Sequence, residues 1–190
     1  MRAFVAVEIS DRVRDQIRLL LESLKVDPSA RVSSVRWVRP EQMHLTLAFL
    51  GEVSLDFIES AKQRLAAVSS DQASFVCKLK GLGAFPSLGR ARVVWTGVEE
   101  GNEQLKQLYG AVVRELAKVG YEPEKRPFSP HLTLGRLKIP ADVRQMCETR
   151  FESERFGIDR LVLFQSILRP VGAEYVKLAD WGLGEKTPIS

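Results

Sequence analysis

Hydrophobic side chains alternate with small or polar ones in several short stretches of the chain and recur at helical spacing in others. Residues 2–8 (RAFVAVE) alternate and predict a strand. Ser10 and Asp11 are N-cap candidates. Val13, Ile17, Leu20, Leu21 and Leu24 then fall on one face of a helix reaching about Lys25. A polar stretch with Pro28, Ser33 and Ser34 predicts a loop, and strands follow over residues 35–39 and 43–50, ending at Gly51. Ser54 opens a second helix with Phe57, Ile58, Ala61, Leu65 and Val68 inward. Residues 74–79 predict a strand, residues 81–90 a glycine- and proline-bearing connector, and residues 92–98 another strand. Residues 102–119 carry Leu105, Leu108, Val112, Val113 and Leu116 as a helical stripe that Gly120 stops. The pattern closes with a strand over 130–137 and a short helix from Pro140 to about Arg150. Two strands near 158–168 and 174–181 follow, then a frayed tail over 182–190.

This order of elements predicts an α+β fold of two antiparallel sheets, each backed by helices. It also contains a repeat. His44-Leu45-Thr46-Leu47 recurs as His131-Leu132-Thr133-Leu134, displaced by 131 − 44 = 87 residues, and each copy follows a proline-bearing stretch. No linker-like segment separates the halves. The chain is therefore expected to be one bilobal domain over 1–190, with pseudo-twofold symmetry and a central cleft.

Strand parity gives the repeat its chemistry. His44 and Thr46 share one face and Leu45 and Leu47 the other; His131, Thr133, Leu132 and Leu134 divide in the same way. The leucines belong in a core under helices. If the halves are related by a twofold, two imidazoles and two hydroxyls line one groove. Phosphodiester cleavage needs a base for the nucleophile and an acid for the leaving oxygen, and histidine serves both near neutral pH without a metal. Threonine hydroxyls can steady the developing charge on phosphate oxygens. A histidine followed by a threonine in a strand is ordinarily just a strand. Here the chain has two histidines, and both begin the same tetrapeptide.

Composition adds little. The 45% hydrophobic content supports a sizeable core, and a net charge of +4 with pI near 9.2 mildly favours an anionic partner. Cys77 and Cys147 are far apart and form no C-x-x-C, which predicts reduced thiols. The first eight residues do not read as a signal peptide, and no apolar run is long enough to span a bilayer. A soluble, cytoplasmic monomer is expected, with no membrane partner.

The twin His-x-Thr-x (HXTX) pattern resembles the 2H phosphoesterase superfamily, and within it the bacterial and archaeal RNA 2′,3′-cyclic phosphodiesterase family, also called 2′-5′ RNA ligases. The resemblance runs through the N-terminal MRAFVA, residues 37–51 around His44, Phe85-Pro86, residues 92–97, residues 128–136 around His131, and the tail from Leu163-Phe164-Gln165-Ser166 to Gly172-Ala173-Glu174-Tyr175. It implies hydrolysis of RNA 2′,3′-cyclic phosphate ends to 2′-phosphates, an RNA-processing activity without a cofactor. His44 would be the proton donor and His131 the proton acceptor that activates water. Thr46, Thr133 and Arg136 would hold the phosphate. The substrate would be RNA with a cyclic phosphate end or a cyclic nucleotide. Gly135 stands where the resemblance leads one to expect alanine.

Arg136 lies at odd offset from His131, so an ideal strand points it away from the groove; a bulge at Gly135 would turn it inward. The first motif has Phe49 at the same offset. Arg31, Arg36, Arg39, Arg90, Arg92, Lys125 and Arg126 fall in or beside predicted loops and are candidates for a basic rim. Trp37, Trp95 and Phe85 are candidates for stacking a base, or for core packing. Alternatives are 2′-5′ ligation as the reverse reaction, a module that binds RNA or nucleotide phosphate without turnover, and a zinc site from both histidines and both cysteines, which no ligand spacing supports.

Overall fold

The computed structural model describes residues 1–27, 32, 35–169 and 172–184. The predicted loop residues Pro28, Ser33 and Ser34, the rim candidate Arg31 and tail residues 185–190 lie outside them. In chain order the elements are β1 (Arg2–Glu8), α1 (Asp11–Val26), β2 (Val35–Trp37), a 3-10 turn (Pro40–Gln42), β3 (His44–Glu52), α2 (Leu55–Asp71), β4 (Phe75–Phe85), a 3-10 turn (Leu88–Arg90), β5 (Ala91–Glu100), α3 (Asn102–Ala117), β6 (His131–Ala141), α4 (Arg144–Cys147), β7 (Phe156–Ile158), β8 (Arg160–Arg169) and β9 (Gly172–Gly182). They form two antiparallel sheets, β3-β1-β8-β9 and β2-β6-β5-β4-β7, so the fold is α+β as its hydrophobic pattern predicts.

The helices start where their caps dictate. The Ser10 hydroxyl accepts from the Val13 N–H at 3.3 Å and the Ser54 hydroxyl from the Phe57 N–H at 3.1 Å. Gly101 precedes α3 with φ +86°, and a Cβ there would lie 2.4 Å from Cys77 Sγ. The apolar stripes of α1, α2 and α3 meet the inner faces of both sheets in one core, which includes Leu45, Leu47, Leu132 and Leu134.

The repeat extends well beyond its four letters. On β1 and β3, Val7 pairs with Leu45, Ala6 with Thr46, Val5 with Ala48 and Phe4 with Phe49. On β5 and β6, Thr96 pairs with Leu132, Trp95 with Thr133, Val94 with Gly135 and Val93 with Arg136. Both ladders skip the second leucine of the motif, Leu47 in one and Leu134 in the other. Each is a β-bulge that buries two consecutive residues and flips the parity beyond them. Phe49 and Arg136 thereby come to the same face as the histidines.

The structure corrects four expectations. Residues 81–85 are not a connector: β4 runs on to Phe85, because the Trp95 ring covers Gly83, where a Cβ would lie 2.3 Å from it. Pro140 does not start a helix. It lies within β6, past residues 135–137 where β2 pairs, so its missing N–H costs no ladder bond on that side; the helix there is only Arg144–Cys147. Strand β2 stops at Trp37 instead of Arg39, ahead of the turn that Pro40 begins. The strand expected from residue 158 is two, since β7 pairs with β4 and β8 starts afresh at Arg160.

Candidate active site

His44 opens β3 and His131 opens β6, on different sheets, and both line one cleft of about 860 Å³. Thr46, Thr133 and Arg136 line the same cleft, so the five predicted site residues are brought together. The inward turn of Arg136 comes from the bulge. Gly135 is not what makes that bulge, because Ala48 occupies the equivalent place in β3. The glycine serves β2 instead: a Cβ at 135 would lie 2.6 Å from Val35 Cγ1 and 3.0 Å from the Trp37 ring. Among the described residues, strand β3 is the edge of its sheet, and there alanine fits.

Each imidazole is oriented by the chain two residues earlier. His131 Nδ1 lies 2.7 Å from the Ser129 carbonyl. A carbonyl only accepts, so Nδ1 carries the hydrogen and Nε2 of the neutral ring keeps its lone pair. His44 makes the corresponding bond to the backbone of Gln42. The two supports differ. Ser129 lies between Pro127 and Pro130. Gln42 lies in a turn held by Arg14, whose guanidinium donates to the Pro40 carbonyl at 2.8 Å and the Met43 carbonyl at 3.0 Å. The Gln42 side chain also donates to the Ala173 carbonyl at the start of β9.

Burial dominates the electrostatics. His44 stacks on Phe4 at 4.7 Å between ring centroids and meets the edge of Tyr175 at 5.2 Å. Phe4, Ala6, Val162 and Phe164 form a second apolar cluster, separate from the main core. Desolvation on that floor lowers the His44 pKa from 6.5 to about 4, with the nearby Arg14 charge adding to the effect. His131 is lowered too, by burial first and by the Arg136 charge as well. It meets Phe85 edge-on at 5.0 Å, and Trp95 is 6.2 Å away. Burial thus favours the neutral form of both rings near pH 7.

Other predicted contributors divide. Phe85 and Trp95 back His131, and Trp37 lines a separate small groove with Arg39. Arg126 lines the cleft, whereas Arg36, Arg39, Arg90, Arg92 and Lys125 do not. Neither cysteine lines it; burial pushes the Cys77 thiol up to about 12 and that of Cys147 to about 11. Among the described residues, no three His, Cys, Asp or Glu side chains converge as metal ligands would. Sequence reasoning missed Arg2, Tyr109, Tyr121 and Tyr175 as lining residues. Arg2 was within reach of strand parity, since it shares a face with Phe4. The tyrosines arrive from α3, the following loop and β9, where no local pattern points at the cleft.

A bilobal α+β fold with a histidine–threonine pair from each sheet defines a class, and the sequence profile of the 2′-5′ RNA ligase superfamily matches residues 13–167. The chain belongs to that superfamily. It is 38% identical over 181 residues to the RNA 2′,3′-cyclic phosphodiesterase of Archaeoglobus fulgidus, covering 94% of this chain and 98% of that protein. The crystal structure of TT0787 of Thermus thermophilus superposes with a TM-score of 0.81 at 27% identity, covering 98% of this chain and all of that one. The crystal structure of E. coli LigT complexed with 3′-AMP superposes with a TM-score of 0.75 at 27% identity, covering 97% of this chain and 98% of that one. Among the described residues, no helix is long and apolar enough to cross a membrane.

Proposed function

We propose that the protein hydrolyses RNA 2′,3′-cyclic phosphate ends to 2′-phosphates, with His44 as proton donor and His131 as proton acceptor. The observation that carries this reading is the pair of oriented imidazoles, one from each sheet, facing a common cleft with a threonine beside each. Water placed against His131 Nε2 loses its proton to that nitrogen as its oxygen bonds to phosphorus. The P–O3′ bond breaks and His44 gives its proton to O3′, leaving a 2′-phosphate and a free 3′ hydroxyl. The second proton of the water stays on the new phosphate or passes to solvent, and the two imidazoles exchange protons with solvent to reset. Thr46, Thr133 and Arg136 hold the non-bridging oxygens, where charge accumulates.

His44 must be charged at the start of this sequence, and burial of the ring favours its neutral form. The phosphate anion itself supplies the correction: a negative charge within a few ångströms, in a site of low dielectric, raises the pKa of the ring. The similarity to an RNA 2′,3′-cyclic phosphodiesterase supports the substrate, and a 5′ hydroxyl in the place of water, bonding to phosphorus as the P–O3′ bond breaks, would join RNA ends through a 2′-5′ linkage.

The test is an RNA with a 2′,3′-cyclic phosphate, incubated with EDTA and analysed for product. A 2′-phosphate lost in both His44→Ala and His131→Ala is expected. A 3′-phosphate product, or tight RNA binding with no turnover in the parent protein, overturns the reading. The division of roles is tested by replacing the bridging O3′ with sulfur, a leaving group that needs no proton. His44→Ala should then recover activity and His131→Ala should not; the opposite pattern assigns the roles the other way round.

A further inference from the structure

Each imidazole is bonded to the carbonyl two residues earlier, but the two carbonyls are held in different ways. Ser129 sits between Pro127 and Pro130, and Pro130 restricts its backbone directly. Gln42 is followed by Met43 and has no such restraint. Its carbonyl shares one rigid plane with the Met43 N–H, which donates to the Pro40 carbonyl at 3.1 Å. That bond fixes one edge of the plane and leaves it free to tip about the edge. The Gln42 side chain opposes tipping: its amide donates to the Ala173 carbonyl, 131 positions along the chain at the start of β9. Two residues further on the same face of β9, Tyr175 meets the His44 ring edge-on at 5.2 Å. Gln42 therefore joins the carbonyl behind the imidazole to the strand that supplies part of the ring's surroundings. Among the described residues, no side-chain bond ties Ser129 to another strand in this way.

A proton donor depends on this bond twice. The bond sets the direction of the opposite ring nitrogen, and it supports the charged ring: burial and the Arg14 charge disfavour protonation of His44, whereas the Gln42 carbonyl favours it. A carbonyl that swings away loses both effects at once. We propose that the Gln42 side chain is a positioning residue for the proton donor: by tying the turn to β9 it keeps its own carbonyl on His44 and so aims the opposite ring nitrogen at the departing oxygen. The inference rests on the functional reading above for the role of His44. Gln42 acts through the imidazole, so its contribution exists only where the leaving oxygen needs a proton.

The test uses Gln42→Met, which keeps the length of the side chain and the backbone carbonyl and removes the donor. It is compared with the parent and His44→Ala on an RNA 2′,3′-cyclic phosphate and on the same RNA with sulfur at the bridging 3′ position, whose thiolate leaves without a proton. On the oxygen substrate Gln42→Met should lower kcat by about five- to fiftyfold, part of the ~10²–10⁴ that a general acid contributes, with KM little changed. On the sulfur substrate it should match the parent. A role in folding alone lowers both rates alike, and direct contact with the ligand raises KM on both. Nitrogen NMR near pH 7 should show one neutral His44 tautomer in the parent and a mixture in Gln42→Met, with His131 the same in both. Equal losses on the two substrates, a raised KM on both, an unchanged kcat on the oxygen substrate, or an unaltered His44 tautomer overturns the proposal. The functional reading fails separately. If the parent turns over neither substrate, or His44→Ala loses both alike, His44 is not the donor, and the NMR comparison alone decides whether Gln42 orients the ring.

Discussion

Lowering the pH from about 7 to about 5 forces a proton onto an imidazole that the fold holds neutral. Unfolded, His44 titrates near its ordinary 6.5; folded, burial on the Phe4–Phe164 floor brings it to about 4. The unfolded chain therefore binds the extra proton as the pH falls through 6.5, and the folded chain does not until about 4. Stability is full above the unfolded value and declines below it. Linkage puts the loss at about 2 kcal/mol by pH 5 and about 3 kcal/mol by pH 4, relative to pH 7. The sign is the same for His131, whose pKa is also lowered. Carboxylates do not intrude in the upper window. Glu41, Glu115 and Glu152 are lowered from 4.5, and Asp142 from 3.8 to about 2, so their stabilising contributions are lost only below those ordinary values. The measurement is urea unfolding at the two pH values for the parent and for His44→Gln, whose amide can still donate to the Gln42 carbonyl. With an m-value of ~2 kcal/mol/M, the parent midpoint should fall by about 1 M between pH 7 and pH 5 through His44 alone. His44→Gln should lose that part of the slope, and His44→Gln with His131→Gln should be nearly flat. An unchanged acid dependence in His44→Gln refutes the burial argument.

Gly135→Ala should destabilise the protein by about 1–3 kcal/mol, read from the thermal midpoint, because its Cβ would enter the space of Val35 and Trp37; Ala48→Gly, at the equivalent place on an edge strand, should cost less than about 1 kcal/mol. Arg136→Ala should lower kcat/KM on cyclic phosphates by about ten- to a hundredfold and weaken its dependence on salt. Arg14→Ala removes the guanidinium that ties the Pro40 and Met43 carbonyls of the His44 turn together; it should reduce kcat with little change in KM, and NMR should show the His44 ring nitrogens shifted while those of His131 stay in place. Leu132→Ala, at a fully buried position shared by no part of the cleft, should cost about 2–5 kcal/mol in urea unfolding with the pH dependence of activity unchanged.

What the chain discloses by itself is what depends on near neighbours. Alternation in HLTL places His44 and Thr46 on one face, helical spacing places Val13, Ile17 and Leu24 inward, and the repeat of a rare tetrapeptide points to two lobes. What it conceals depends on distant partners. Gly81 and Gly83 look like a loop until Trp95 covers Gly83. Pro140 looks like a helix start until it is clear that β2 has already ended. The inward turn of Arg136 requires a bulge, and nothing in the letters GR distinguishes a bulge from a straight strand; the matching bulge at Leu47 shows that packing beneath the strand, and not glycine, produces it. The cleft tyrosines are illegible for the same reason, since each belongs to a different element and meets the others only in the folded chain.

Strand β1 draws a boundary through seven residues. Ala3, Val5 and Val7 enter the main core, while Phe4 and Ala6 enter the separate cluster that floors His44. Every one of these side chains is buried and apolar, so a hydropathy plot does not distinguish them. Their failures would look different. Truncations at 3, 5 and 7 should register as lost yield and lowered melting, and those at 4 and 6 as an altered imidazole on a protein that still folds. The pleat of a single strand thus sorts substitutions into two kinds of phenotype, alternating one residue at a time.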